Sequence, residues 1–246
     1  MKDNLARTIK TDGLVKVYGR TRVVNNVSIR VTQGEIVGLL GPNGAGKTTS
    51  FYMIVGMVRP EAGHIYLDDI EISSYPMYKR AQLGLGYLPQ ETSVFRKLSV
   101  EDNIMAILET RNLKRKERKE RLDFLLEDFK ITHIRKNMAH SLSGGERRRL
   151  EIARALAAEP DFLLLDEPFA GIDPIAVEDI QSIVSKLKNQ GMGILITDHS
   201  VRETLSITDR AYIMYQSEVL TEGTSEFLAK DERARQIYLG ESFRLD

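Results

Sequence analysis

The chain has 246 residues with no cysteine, 42% hydrophobic and 28% charged content, and 35 basic residues against 35 acidic ones. That length suits one large α/β domain with an appended subdomain, and the missing cysteines exclude disulfides and cysteine metal sites. A formal charge of zero gives no support to broad nucleic-acid binding.

No stretch approaches the roughly 18 apolar residues of a membrane span, and the opening Met1-Lys2-Asp3-Asn4-Leu5 lacks the apolar core of a signal peptide. Any membrane association is therefore expected to run through a partner. Residues 9–40 read as strands, and Val27, Ile29 and Val31 alternate with Ser28, Arg30 and Thr32, which predicts a half-buried antiparallel strand. Gln33-Gly34 turns the chain into the apolar run Glu35–Leu40, a buried strand.

Gly41-Pro42-Asn43-Gly44-Ala45-Gly46-Lys47-Thr48 follows at once and fits GxxxxGK[ST], and helical character continues from Lys47 to Val58. Strand, glycine loop and helix in that order turn a pattern match into a phosphate site. Glycines let backbone N–H groups face a phosphate, and the helix N-terminus adds partial positive charge. Lys47 is expected to reach the β- and γ-phosphates and the Thr48 hydroxyl to ligate Mg²⁺. Thr49 either touches the α-phosphate or is an ordinary first-turn threonine.

Gln90 follows Tyr87-Leu88-Pro89. A neutral amide there can touch Mg²⁺ and an attacking water, although the residue alone reads equally as loop. From about Glu91 to Pro160 the texture is helical. Ser99 and Asp102 suggest a capping box before Val100–Arg111, and Arg115–Lys130 places Leu122, Leu125, Leu126 and Phe129 on one stripe. The basic run Lys114–Lys119 reads as a solvated face because glutamate interrupts it. Val94, Phe95 and Leu98, with Arg96 and Lys97 between them, either pack inside this helical region or line a groove for a short cytoplasmic helix.

Leu142-Ser143-Gly144-Gly145-Glu146 opens another helix, over Glu146–Ala158. Ser143 is a good N-cap, and Gly144 and Gly145 allow close approach to an anion. One chain thus carries two phosphate-seeking helix starts, which points to a clamp that closes on a second copy of itself. Arg147, Arg148 and Arg149 are assigned to solvent and ion pairs.

After Pro160 strand and helix alternate again: Phe162–Leu165, Pro174–Gln190 and Gly193–Thr197. Alternation of this kind predicts a parallel sheet with helices on both faces. Asp166 at its strand's carboxyl end is placed to hold Mg²⁺ through water, and Glu167 to orient and deprotonate the attacking water. His199, after another strand, is placed to hydrogen-bond the γ-phosphate. His64, His133 and His140 read as structural or solvated.

With these motifs in order, the chain resembles the nucleotide-binding subunit of ATP-binding-cassette transporters over essentially its whole length. The resemblance implies a P-loop NTPase of the ABC ATPase type in one domain, 1–246. Its nucleotide-binding core, with an N-terminal antiparallel β-subdomain, spans 1–90 and 161–222. A helical subdomain is inserted at 91–160, and a C-terminal helical tail spans 223–246. Gln90 then matches the Q-loop, Leu142–Glu146 the signature, His199 the switch histidine and Ala170–Asp173 the D-loop, while Tyr18 matches the aromatic that stacks on adenine. The family's head-to-tail homodimer would pin ATP and Mg²⁺ between one copy's phosphate loop and the other's signature.

Strings between the motifs, such as Phe95-Arg96-Lys97-Leu98-Ser99-Val100 and the ending Tyr238–Leu245, resemble the lipopolysaccharide-export branch of the family in Gram-negative bacteria. Branched-chain amino-acid importer ATPases share much of the pattern. Ser200 stands where asparagine is common, and Ser217-Glu218 replaces a usual glycine turn. Either branch implies an ATPase on the cytoplasmic face of the inner membrane, held by integral membrane subunits docking near Phe95 and Arg96, with no cargo site and no nucleic acid of its own. A chromosome-structuring or repair clamp would need a long coiled coil, which is missing here, and a translation-associated cassette usually carries two ATPase units.

Overall fold

The computed structural model describes residues 6–245; Met1–Leu5, read above as lacking a signal core, lie outside them. Strand β1 (Thr8–Tyr18) pairs antiparallel with β2 (Thr21–Val27) and β3 (Arg30–Thr32). The single strand predicted through 27–32 is thus broken at Ser28-Ile29, where the Ile29 amide donates to Thr11 Oγ1 at 2.7 Å. Burial still alternates, with Val27, Ile29 and Val31 all inside.

Strand β4 (Ile36–Leu40) is buried at every position and feeds α1 (Lys47–Val55). That helix stops three residues short of the predicted Val58, because Gly56 adopts φ +95 and returns its amide to Tyr52. β5 (Ala62–Leu67) joins β1 in the first sheet and carries β6 (Ile70–Glu71) on its far edge. The short α2 (Met77–Gln82) leads to β7 (Leu85–Leu88).

Helices α3 (Val100–Leu108), α4 (Arg115–Asp128) and α5 (Gly144–Leu156) follow, each shorter at its end than the periodicity suggested. Ser99 caps α3 by accepting from Asp102 N. The predicted stripe Leu122, Leu125, Leu126 and Phe129 is buried, against Ile104, Leu108 and Leu150 among others.

The chain then alternates β8 (Phe162–Asp166), α6 (Pro174–Asn189), β9 (Gly193–Thr197), α7 (Val201–Leu205), β10 (Arg210–Tyr215) and β11 (Glu218–Gly223). These strands and β4 and β7 form a six-stranded sheet in the order β11-β10-β4-β9-β8-β7, parallel except for β11. The hairpin that lacks glycine holds Gln216 and Ser217 at φ +47 and +72, the conformation a tight two-residue hairpin demands. Ser217 is braced there, its carbonyl accepting from Asn25 N at 2.7 Å.

Helices α8 (Ser225–Lys230) and α9 (Glu232–Ala234) end the chain with a wide helical turn over Arg235–Leu239. Tyr238, Leu239, Phe243 and Leu245 pack on a cluster containing Leu40, Leu205, Ala211 and Ile213. The Gly41 amide faces the Tyr238 hydroxyl, whose pKa burial raises.

Candidate active site

Four parallel neighbours, β4, β9, β8 and β7, deliver their carboxyl ends to one edge of the sheet. The phosphate loop follows β4, His199 follows β9, Asp166 ends β8 with Glu167 next in the chain, and Gln90 follows β7. An open α/β sheet collects its ligands at this edge, so topology gathers residues as far apart in sequence as Gly41 and His199.

The loop backbone can be built only with glycine at two points. Gly41 has φ +144, and a Cβ there would lie 2.2 Å from the Met214 carbonyl; at Gly46, φ +96, it would lie 2.3 Å from the Val23 carbonyl. Tyr18, Val23, Asn43, Gly44, Ala45, Gly46, Lys47, Thr48, Thr49 and His199 line a cleft of about 260 Å³. Gly41 and Pro42 sit behind it, their carbonyls accepting from Lys47 Nζ at 2.6 and 3.0 Å. Burial lowers the Lys47 pKa, opposed by the Glu167 charge. The cleft therefore offers glycine amides, a cation and a helix N-terminus without an acidic first turn, which fits a polyphosphate.

Glu167 takes φ +45, a left-handed backbone that a residue with a side chain rarely adopts. Its carboxylate is held on both oxygens: Gln90 Nε2 donates to Oε2 at 2.6 Å, and His199 Nε2 lies 2.8 Å from Oε1. The three predicted catalytic residues thus meet in one cluster. Asp166 is buried behind them, and burial raises its pKa while the Tyr52 and Tyr87 hydroxyls pull it back. Among the described residues no trio of His, Asp or Glu side chains forms a metal cage. Thr48, Gln90 and Asp166 are a hard-oxygen set of the kind Mg²⁺ uses when substrate phosphates complete its shell.

Ser143, Gly144 and Gly145 are not brought to this cleft. They open α5 with Ser143 and Gly144 exposed, and a Cβ on either glycine would meet nothing within 4 Å. Sequence reasoning missed Asp198, whose buried carboxylate accepts from Ser200 N at 2.7 Å and Phe169 N at 2.9 Å. It thereby ties the segment carrying His199 to the segment leading to Ala170–Asp173. It also missed Tyr52 and Tyr87. Only the position of Tyr87, on β7 just before Gln90, hinted at the site. Arg148 is buried against Glu151 and donates to the Pro89 carbonyl at 3.1 Å, linking α5 to the Gln90 loop.

The sequence pattern of the ABC transporter family matches residues 24–170. The chain belongs to that family. As an ABC ATPase it is 56% identical to the lipopolysaccharide export system ATP-binding protein LptB of Escherichia coli K12, over 97% of this chain and 99% of that protein. LptB of Haemophilus influenzae is also 56% identical, over 96% and 99%. A probable ABC transporter ATP-binding protein of Azorhizobium caulinodans is 61% identical over 95% of this chain and 83% of its own length. Among solved structures, the ADP conformation of an ABC transporter cassette superposes with a TM-score of 0.85 at 26% identity, covering 96% of this chain and 99% of that one. The ATPase fold expected from the motifs is present, and among the described residues no helix is long and apolar enough to cross a membrane.

Proposed function

We propose that this ATPase powers lipopolysaccharide export from the inner membrane, working as a homodimer bound to integral membrane subunits. The cargo reading rests on the near full-length identity to LptB. The chemical reading rests on one observation, the Glu167 carboxylate clamped between Gln90 and His199 at the mouth of the phosphate-loop cleft.

In this reading Lys47 and the amides of residues 43–48 hold the β- and γ-phosphates, and Tyr18 stacks on adenine at the cleft's outer end. Thr48, Asp166 and Gln90 would hold Mg²⁺, which when bound neutralises charge on the phosphate oxygens. Glu167 takes the proton of the attacking water, oriented by its two side-chain partners, while His199 donates toward the γ-phosphate. Ser143, Gly144 and Gly145 of a second copy close over the same phosphates, since within one chain they lie apart from the cleft. Ile175, 77% exposed beside the Ala170–Asp173 loop, supplies apolar surface to that dimer.

The membrane subunits dock at a groove of about 420 Å³ whose walls include Met77, Ala81, Leu85, Tyr87, Phe95 and Ile107. Of residues 94–98, Val94 is buried, while the 46% exposure of Phe95 supports the docking reading. Arg154 lies 5.0 Å from the Phe95 ring and hydrogen-bonds Ser93 Oγ. Asn103, wholly buried, accepts from Phe95 N and donates to the carbonyls of Phe95 and Ser99. That bracing presents Phe95 and Arg96 on a fixed loop to a short amphipathic helix. The deciding experiment is replacement: this chain should sustain E. coli cells depleted of their own LptB. Cells that die while the chain is expressed and hydrolyses ATP would remove the lipopolysaccharide assignment.

A further inference from the structure

Arg80 is 1% exposed and has no carboxylate partner among the described residues. All of its hydrogen bonds go to backbone carbonyls: Nη1 donates to Met53 and Ile54 at 2.7 and 2.6 Å, Nε to Tyr75 at 2.9 Å, and Nη2 to Ser73 at 3.2 Å. Burial lowers its pKa to about 10, so it remains charged at neutral pH. A buried charge of this kind is costly unless every donor is met, and a methionine would fill the volume without that cost. The guanidinium must therefore be read through what it holds.

Met53 and Ile54 belong to the last turn of α1, whose terminal carbonyls have no partner within the helix. Gly56 N satisfies Tyr52, and Arg80 satisfies the next two. A cation at a helix C-terminus is also favoured by the macrodipole. The space is fully used, since a Cβ on Gly56 would sit 2.8 Å from Arg80 Nε. At the other end of the same nine-residue helix stand Lys47 and Thr48. Arg80 itself is on α2, whose Met77 and Ala81 form a wall of the docking groove.

We infer that Arg80 is a positioning residue that joins the groove wall to the phosphate-loop helix, so that nucleotide at the N-terminus of α1 and occupancy of the groove are thermodynamically linked. The linkage rests on the docking reading above. A rigid helix of nine residues spans about 14 Å, short enough for a shift at one end to be felt at the other. Because linkage is reciprocal, it can be read from the nucleotide side alone, without a membrane partner.

The test is amide hydrogen exchange on the full chain with and without a non-hydrolysable ATP analogue. In the wild type, analogue binding should slow exchange across residues 77–82. In Arg80→Met that response should vanish and analogue affinity should fall about tenfold, within the usual range of allosteric couplings. Arg80→Lys keeps the charge but cannot span four carbonyls, and should lose the response as well. A wild type whose α2 amides ignore the analogue overturns the inference whatever the variants do. So does a variant of either kind that melts lower but keeps wild-type affinity and response, because Arg80 would then be only a staple. Docking itself is tested separately by Phe95→Ala, so a failure of the Arg80 link and a failure of docking are told apart.

Discussion

Two helices of this protein start from glycine loops, and their first turns are finished in opposite ways. Helix α1 begins after Gly46, with no side-chain cap and no acidic residue in its first turn. Helix α5 begins after Ser143, whose hydroxyl accepts from Glu146 N while Glu146 Oε2 accepts from Ser143 N at 2.9 Å. The first leaves its N–H groups and positive end to a ligand. The second meets two of its donors, Ser143 N and Glu146 N, with its own side chains and places the Glu146 charge at its own positive end. Affinity for nucleotide should therefore reside at α1, and α5 should act as a contact made only when another molecule brings its phosphates close.

The largest expected effects lie beside α1. Glu167→Gln should lower steady-state phosphate release by roughly 10²- to 10⁴-fold, the usual worth of a general base. It should still bind ATP and accumulate as an ATP-bound dimer on size exclusion. Lys47→Ala should lose nucleotide binding outright in a titration with labelled ATP.

Ser143→Arg sharpens the contrast. It should abolish hydrolysis and leave the isolated chain's ATP affinity near wild type. Loss of affinity equal to that of Lys47→Ala would dissolve the distinction between the two helix starts. Mixing the two variants should restore some hydrolysis, since one interface of a mixed dimer pairs an intact phosphate loop with an intact Ser143.

A middle effect concerns Phe95. Its exposure means Phe95→Ala should cost about 0.5 kcal/mol or less in thermal unfolding, as surface changes do. The variant should hydrolyse ATP alone yet fail to co-purify with membrane subunits from detergent.

The smallest effect belongs to the α5 cap. Hydrogen bonds from the Ser143 side chain and backbone hold the Glu146 pKa below its ordinary value. Its contribution is therefore full at neutral pH and is lost as pH falls through that lowered value. The melting temperatures of wild type and Glu146→Gln should differ slightly at pH 7 and converge once pH has fallen well below the ordinary carboxylate range. A gap that widens on acidification would contradict the cap.

The residues at the sheet edge were legible because each follows an apolar run, and strand, loop and helix texture says where the run ends. Gly41–Thr48, Asp166, Glu167 and His199 all sit at such junctions. Arg80 was not legible. It lies on a six-residue helix too short for periodicity, and its partners Met53 and Ile54 are 27 and 26 residues away. Asp198 and Asn103 were hidden for the same reason, as both bind backbone groups, which no side-chain pattern reveals. The break at Ser28-Ile29 escaped because β2 and β3 both pair with β1, and burial keeps its alternation across the gap. Helix ends were overextended where caps act through geometry, as at Gly56.

The left-handed backbone at Glu167 carries an evolutionary consequence. A residue with a Cβ held in that region costs of the order of 1–3 kcal/mol, and glycine or asparagine would relax it. Drift alone therefore favours losing the acid that the proposed chemistry needs, and in that reading only selection for turnover holds it in place. In any descendant copy of this chain that retained the dimer but stopped hydrolysing ATP, position 167 should be among the first to decay, and the decayed protein should be the more stable of the two.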